Sequence, residues 1–183
     1  VPLSCTGVDV SRGGKDKTVI AKRYENYFAM PKEHRGVDTN DGPKVAALVL
    51  AEHGDSDAPI QMDVIGVGSS PYDSTKSVHA NTIPLNSSER DNTARDKSGK
   101  FGFLNKRAQW WWQFREALDP VHGDNLMLPP HAELIKPLCA PRYKLSTSGI
   151  QIESKIDIKT RLGFSPDLEA LVYAHANDDT TDH

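Results

Sequence analysis

Cys5-Thr6-Gly7-Val8-Asp9-Val10 reads as a short buried strand, and Arg12-Gly13-Gly14-Lys15-Asp16-Lys17 supplies the turn that follows it. Residues 18–28 continue as a second strand, so the chain opens on an antiparallel hairpin. Within that first strand Asp9 stands where an acid is unusual, because an ionised carboxylate among apolar neighbours is costly unless it is paired or binds metal.

Outward from this hairpin the periodicity changes. Val45, Leu48 and Val49 fall at helical spacing after Pro43, which predicts a helix over 44–53. Ile60, Met62, Val64, Ile65 and Val67 form a dense β-branched run, predicting a central strand over 60–67, covered on both faces and ending at Gly66-Val67-Gly68. A short helix over 71–78 and a strand over 82–85 follow. Residues 86–102 mix charge with Ser, Thr and Gly and offer almost no apolar anchor, so a mobile loop is expected.

Residues 105–118 predict a helix that carries Trp110, Trp111 and Trp112. Three consecutive residues span most of a helix circumference, so core packing is expected for two of the indoles and an outward position for one, open to base stacking. A short helix over 131–139, two short strands over 142–155 around Ser148-Gly149, and helices over 156–162 and 166–176 complete the pattern. The result is one mixed α/β domain over 1–177 with a polar, frayed tail over 178–183.

Composition bounds the function. Apolar content of 37% with 26% charged residues describes a soluble globular chain, and no apolar run reaches the length of a membrane span. The first residues carry neither a charged n-region nor a signal h-region. Cys5 and Cys139 form no CxxC pair and are expected as reduced, partly buried thiols. A net charge of −3 argues against a simple basic DNA sleeve, yet clustered acids that hold divalent cations lower the net charge too. The seven histidines show no HxH or HExxH spacing for zinc, and no GxxxxGK[ST] phosphate loop occurs.

Two further acids resemble Asp9 in being out of place. Asp63 interrupts the central apolar run, and Asp167 follows Ser165-Pro166, expected as the N-cap and first position of the last helix. Converging from different parts of a sheet, three carboxylates suit two hard cations about 4 Å apart, the arrangement of phosphodiester hydrolysis. The plainer reading pairs Asp9 with Lys15 or Lys17 and leaves Asp167 to serve the helix dipole. Spacing alone does not choose between them.

Four segments together resemble the nuclease domain of phage terminase large subunits. They are Gly7-Val8-Asp9-Val10-Ser11-Arg12-Gly13-Gly14-Lys15-Asp16, Met62-Asp63-Val64-Ile65-Gly66-Val67-Gly68, Leu104-Asn105-Lys106-Arg107-Ala108-Gln109-Trp110-Trp111-Trp112, and Ile152-Glu153-Ser154-Lys155 followed by Arg161-Leu162-Gly163-Phe164-Ser165-Pro166-Asp167-Leu168. They occur in the family's order over nearly the whole chain. The resemblance implies a ribonuclease H-like fold, a mixed central sheet with antiparallel first strands and helices on both faces. It implies metal-dependent cutting of double-stranded, concatemeric phage DNA during packaging, with two Mg2+ or Mn2+ ions held by Asp9, Asp63 and Asp167. Asp9 would bridge the ions, and Lys155 would contact the scissile phosphate or tune a water.

The same resemblance implies an N-terminal packaging ATPase, a portal and a small terminase subunit as partners, in the host bacterial cytoplasm. This chain looks like the nuclease part alone. Arg12, Lys15 and Lys17 on the first turn, and Arg90, Arg95, Lys97 and Lys100 in the 86–102 loop, are the candidate DNA-backbone contacts. An ordinary charged hairpin tip and a solvated loop are the alternatives. The sequence departs from the family in two places: Glu169 stands near where a further Asp is usual, and Ile156 follows Lys155 where the family tends to an acid. Other readings are a resolvase- or transposase-type nuclease of the same fold, an actin-like ATPase domain lacking its second half, and a DNA-gripping module whose acids are structural.

Overall fold

The computed structural model describes residues 1–11, 15–65 and 70–176. Strand β1 (Cys5–Asp9) pairs antiparallel with β2 (Lys17–Tyr24) and parallel with β5 (Ile60–Asp63), which in turn pairs parallel with β6 (Thr82–Leu85). Two short strands, β3 (Tyr27–Phe28) and β4 (Lys32–Arg35), both pair antiparallel with β2, at its far and near ends respectively. The expected single strand over 18–28 is therefore broken. Glu25 turns the chain with φ +54, and β3 folds back on Arg23 and Tyr24. The central sheet is mixed and its opening strands are antiparallel, as expected.

The predicted strand over 60–67 is shorter than its apolar run. β5 stops at Asp63, whose Oδ1 accepts the Ile65 amide in a local turn, and Gly66-Val67-Gly68 lie outside the described residues. A side chain capturing a backbone amide two residues on competes with ladder pairing and ends the strand. This ending leaves the Asp63 side chain at the carboxyl edge of the sheet.

Strand alternation sorts the sheet into two faces. Val8, Ile20, Ile60 and Met62 point to one side, where helix α1 (Gly42–His53) lays Val45 and Val49, one turn apart, against them. Asp41 caps α1 by accepting the Lys44 amide, Pro43 sits in its first turn, and Gly54 at φ +72 ends it. Helix α2 (Ser70–Val78) packs beside α1. Each of these fully buried aliphatic side chains contributes about 1.5–3 kcal/mol.

Gly7, Asp9, Gln61 and Asp63 alternate to the other face, which α6 (Glu169–His175) covers. Gly7 is required there, since a Cβ would overlap the Ala170 carbonyl and the Ala174 backbone. Helix α3 (Lys106–Ala117), capped by Asn105, lies outside α6 and buries Trp110 against Tyr173 and Phe114 against Phe28. Trp110 and Trp111 are buried and Trp112 is only partly so, stacked edge-on to Tyr143, matching the expectation that two indoles enter the core.

The remaining elements frame one side of the domain. Helix α4 (Ala132–Cys139) precedes a separate hairpin, β7 (Tyr143–Ser146) and β8 (Gly149–Ile152). Gly149, at φ +108 against the Gly102 carbonyl, is a position only glycine fits. Helix α5 (Lys155–Leu162) starts directly after β8, with Ser154 accepting the Asp157 amide. Lys155 is thus the first residue of a helix rather than a strand end.

Three other expectations need correction. The last helix begins at Glu169, not Pro166, and Asp167 lies in the turn before it. Ser165 does not cap that helix, because its hydroxyl donates to Asp167 Oδ1 at 2.6 Å. Cys139 is exposed, while Cys5 is buried and its thiol is pushed up to about 12 by that burial. The 86–102 segment has no regular structure, but Asp91 binds Thr93 and Asp96 binds the Phe101 amide, tying it locally. No helix among the described residues is long and apolar enough to cross a membrane.

Candidate active site

Parallel pairing of β1 with β5 in the register Val8↔Met62 brings the next residues, Asp9 and Asp63, to adjacent strand ends on the α6 face. Both line an open cavity of about 810 Å³, with Arg107, Lys155 and Glu169 also on its wall. Asp9 is buried and accepts a hydrogen bond from Lys155 Nζ at 2.9 Å. The same ammonium stands 3.5 Å from Asp167 Oδ1, so Lys155 ties together the first and last of the sequence-predicted acids. Asp167 reaches the site through this contact and does not itself line the cavity.

Electrostatics at Asp9 are unfavourable to charge. Burial dominates and raises its pKa to about 7; Lys155 opposes the rise, while Glu169 and Asp63 add to it. Burial also works against the Lys155 ammonium, but Asp9, Glu169 and Asp167 outweigh it and keep its pKa raised. The site is therefore a concentration of negative charge held by Lys155 and, through Glu169, by Arg107.

Glu169, read from the sequence either as a stand-in beside the metal ligands for the family's further Asp or as having no role, is buried at the centre. Its Oε1 accepts from Arg107 Nη2 at 2.8 Å and from Nε at 3.1 Å. Its Oε2 lies 2.9 Å from the Tyr173 hydroxyl, which is also 3.1 Å from Asp63 Oδ2. Burial alone would raise the Glu169 pKa, but Arg107 and then Lys155 reverse the effect and hold it low. Arg107 additionally donates to the backbone carbonyl of Glu153 at 2.8 Å. Sequence reading assigned nothing to Arg107 or Tyr173. The available signal was Glu169 and Tyr173 one helical turn apart, the two polar groups of Glu169-Ala170-Leu171-Val172-Tyr173-Ala174.

The donor set suits a hard divalent cation in kind, since it consists of carboxylate oxygens whose mutual repulsion already raises the Asp9 pKa. As the side chains stand, no three Asp, Glu, His or Cys residues among those described gather at ion-binding spacing. Lys155 holds Asp9 and Asp167 instead, so a cation bound at Asp9 competes with this ammonium for Oδ2.

None of the predicted DNA contacts among the described residues lines the cavity. Lys17 pairs with Glu33 at 2.7 Å, Lys15 is exposed, and Arg12 lies outside the described residues. Arg95 turns back onto the carbonyls of Asn92 and Ala94, and Lys97 donates to the His122 carbonyl. Arg90 and Lys100 are exposed, and none of these four lines the cavity. The basic residues on the cavity wall, besides Arg107 and Lys155, are Arg142, Lys144 and Lys159, from the β7–β8 hairpin and α5. Their positions in an unremarkable alternating stretch gave the sequence no reason to single them out.

No protein-family model matches the chain, and no curated protein matches it in sequence. Solved structures do match. The nuclease domain of the large terminase subunit gp2 of bacterial virus Sf6 superposes with TM-score 0.76 over 94% of this chain and 87% of that one, at 22% identity. A variant of that domain with manganese and β-thujaplicinol gives 0.74 at 20% identity, covering 94% and 87%. The large terminase nuclease from thermophilic phage G20c with bound magnesium gives 0.65 at 16% identity, covering 95% and 80%. From β1 to α6, this chain has the ribonuclease H-like fold of the large terminase nuclease domains.

Proposed function

We propose that this domain is a divalent-metal-dependent endonuclease that cuts double-stranded DNA, acting as the nuclease part of a phage large terminase during genome packaging. The observation that carries the reading is the placing of Asp9 and Asp63 at the ends of adjacent parallel strands, on one cavity that Lys155 and Arg107 also line. Its structural neighbours include large terminase nuclease domains solved with manganese, magnesium or cobalt, which supports the reading.

Asp9, Asp63 and Asp167 are the residues that would hold two Mg2+ or Mn2+ ions, with Asp9 central. The ions supply Lewis acidity and a bound water of lowered pKa. Lys155, which donates to Asp9 Oδ2, would contact the scissile phosphate or tune a water. Arg142, Lys144 and Lys159 line the route by which a phosphodiester backbone would enter. Arg12, Lys15, Lys17, Arg90, Arg95, Lys97 and Lys100 extend the contact to phosphates farther out. DNA is the substrate, and the packaging ATPase domain, portal and small subunit are the partners, in the host bacterial cytoplasm.

The test is plasmid incubated with purified domain and manganese, magnesium or chelator, without ATP. Metal-dependent conversion to nicked and linear forms is expected. Intact plasmid across the full metal titration, with DNA nonetheless bound, would favour a gripping module with structural acids.

A further inference from the structure

Each oxygen of Glu169 is occupied by a protein donor. Arg107 holds Oε1 through two nitrogens, and Tyr173 holds Oε2. Three donors thus take three of the roughly four lone-pair sites of this buried carboxylate, which lines the cavity. The groups that enclose it lead outward to the two sides of the site. Arg107 also grips the carbonyls of Ile152 and Glu153, the backbone from which Ser154 and Lys155 emerge. Tyr173 reaches Asp63 Oδ2, whose other oxygen already accepts the Ile65 amide.

We propose that Arg107, Glu169 and Tyr173 form a positioning triad, in which Glu169 is an anchor rather than a ligand and Tyr173 sets the orientation of Asp63. The inference rests on the nuclease reading above, because Asp63 matters only if it holds metal. Three physical points support it. First, Tyr173 meets Asp63 Oδ2 while the Ile65 amide meets Oδ1, so each oxygen has a protein donor. Secondly, Tyr173 is fully buried within the core cluster around α6, so its hydroxyl cannot retreat to solvent. Its one hydroxyl proton lies between Glu169 Oε2 at 2.9 Å and Asp63 Oδ2 at 3.1 Å and links the two carboxylates. Thirdly, Arg107 gives Glu169 a fixed charge partner, and the fork geometry needed to reach a carboxylate and two carbonyls at once is one that lysine lacks.

Partners of metal ligands typically change metal affinity about 10- to 100-fold when removed. Tyr173→Phe keeps the ring and deletes only the hydroxyl. Manganese binding to the wild type, Tyr173→Phe, Arg107→Lys and Trp110→Phe is measured by titration calorimetry, each below its own melting temperature. Plasmid cleavage is followed in parallel. The expected result is a Kd raised about 10- to 100-fold in Tyr173→Phe and Arg107→Lys. Cleavage by both should be partly restored at high manganese. Trp110→Phe, which disturbs packing around the same ring but keeps the hydroxyl, should bind manganese as the wild type does. An unchanged Kd in Tyr173→Phe overturns the triad, and so does an equal loss in Trp110→Phe. If the wild type itself neither binds manganese nor cuts, the nuclease reading fails, a different outcome from failure of the triad.

Discussion

Burial and the nearby carboxylates of Glu169 and Asp63 oppose a charge on Asp9, while Lys155, 2.9 Å away, favours one. The balance has a measurable sign. With a folded pKa of about 7 against an ordinary 3.8, the unfolded chain gives up this proton before the folded one does. This group then costs stability as pH rises from about 4 to about 7, and no further above that. In chelator, Asp9→Asn should lose that part of the slope and melt no lower than the wild type at pH 8. With manganese it should lose most cleavage. A strongly active Asp9→Asn domain would remove Asp9 from the metal site. Substituting Asp9, Asp63 and Asp167 in combination should cost little more activity than substituting one, since groups acting as a unit are not additive.

Helices α1 and α6 show why elements sit where the site needs them. On α1, His53 is buried; its Nε2 donates to the Ser56 carbonyl at 3.0 Å, so Nδ1 accepts the Thr6 hydroxyl at 2.8 Å. Burial lowers its pKa below the usual 6.5. The unfolded chain therefore takes up this proton first on acidification, and stability is lost as pH falls below about 6.5. That slope is opposite to the one from Asp9, so melts of His53→Gln and Asp9→Asn across pH 5 to 8 are needed to separate them. On the other face, Gly7 lets α6 approach β1 closely enough for Glu169 and Tyr173 to reach the acids. Gly7→Ala should cost about 1–3 kcal/mol or more from overpacking. It should also weaken manganese binding by moving α6 outward. A variant with wild-type melting and binding would show that α6 is not held by this contact.

At the scale of the whole molecule, the net charge of −3 is unevenly distributed. Acids converge at the ends of β1 and β5, and Arg142, Lys144 and Lys159 face the same cavity. Divalent metal should accordingly stabilise the fold by mass action, increasingly as its concentration exceeds Kd. The gain should shrink at acidic pH, where protons compete for Asp9. Thermal melts with manganese and with chelator at pH 6 and pH 8 measure both effects. A melting temperature indifferent to manganese at pH 8 would mean that Lys155, not metal, is the lasting partner of Asp9.

Local patterning was enough to identify most elements and to single out three acids as candidates. Strand alternation, the Asp41 and Asn105 caps, and helical spacing in α1 and α3 act between residues close in sequence, so they are readable there. Asp9 and Asp63 were legible because an acid inside an apolar run is a local anomaly. Other features depended on contacts between distant segments. The break at Glu25 follows from β3 and β4 both pairing with β2, and the early end of β5 from Asp63 capturing the Ile65 amide. Lys155 meets Asp9 across 146 positions, and Arg107 meets Glu169 across 62. No periodicity encodes such pairs. They exist because Gly7 admits α6 against the sheet and the β7–β8 hairpin delivers α5 to the same edge, which only packing in three dimensions decides.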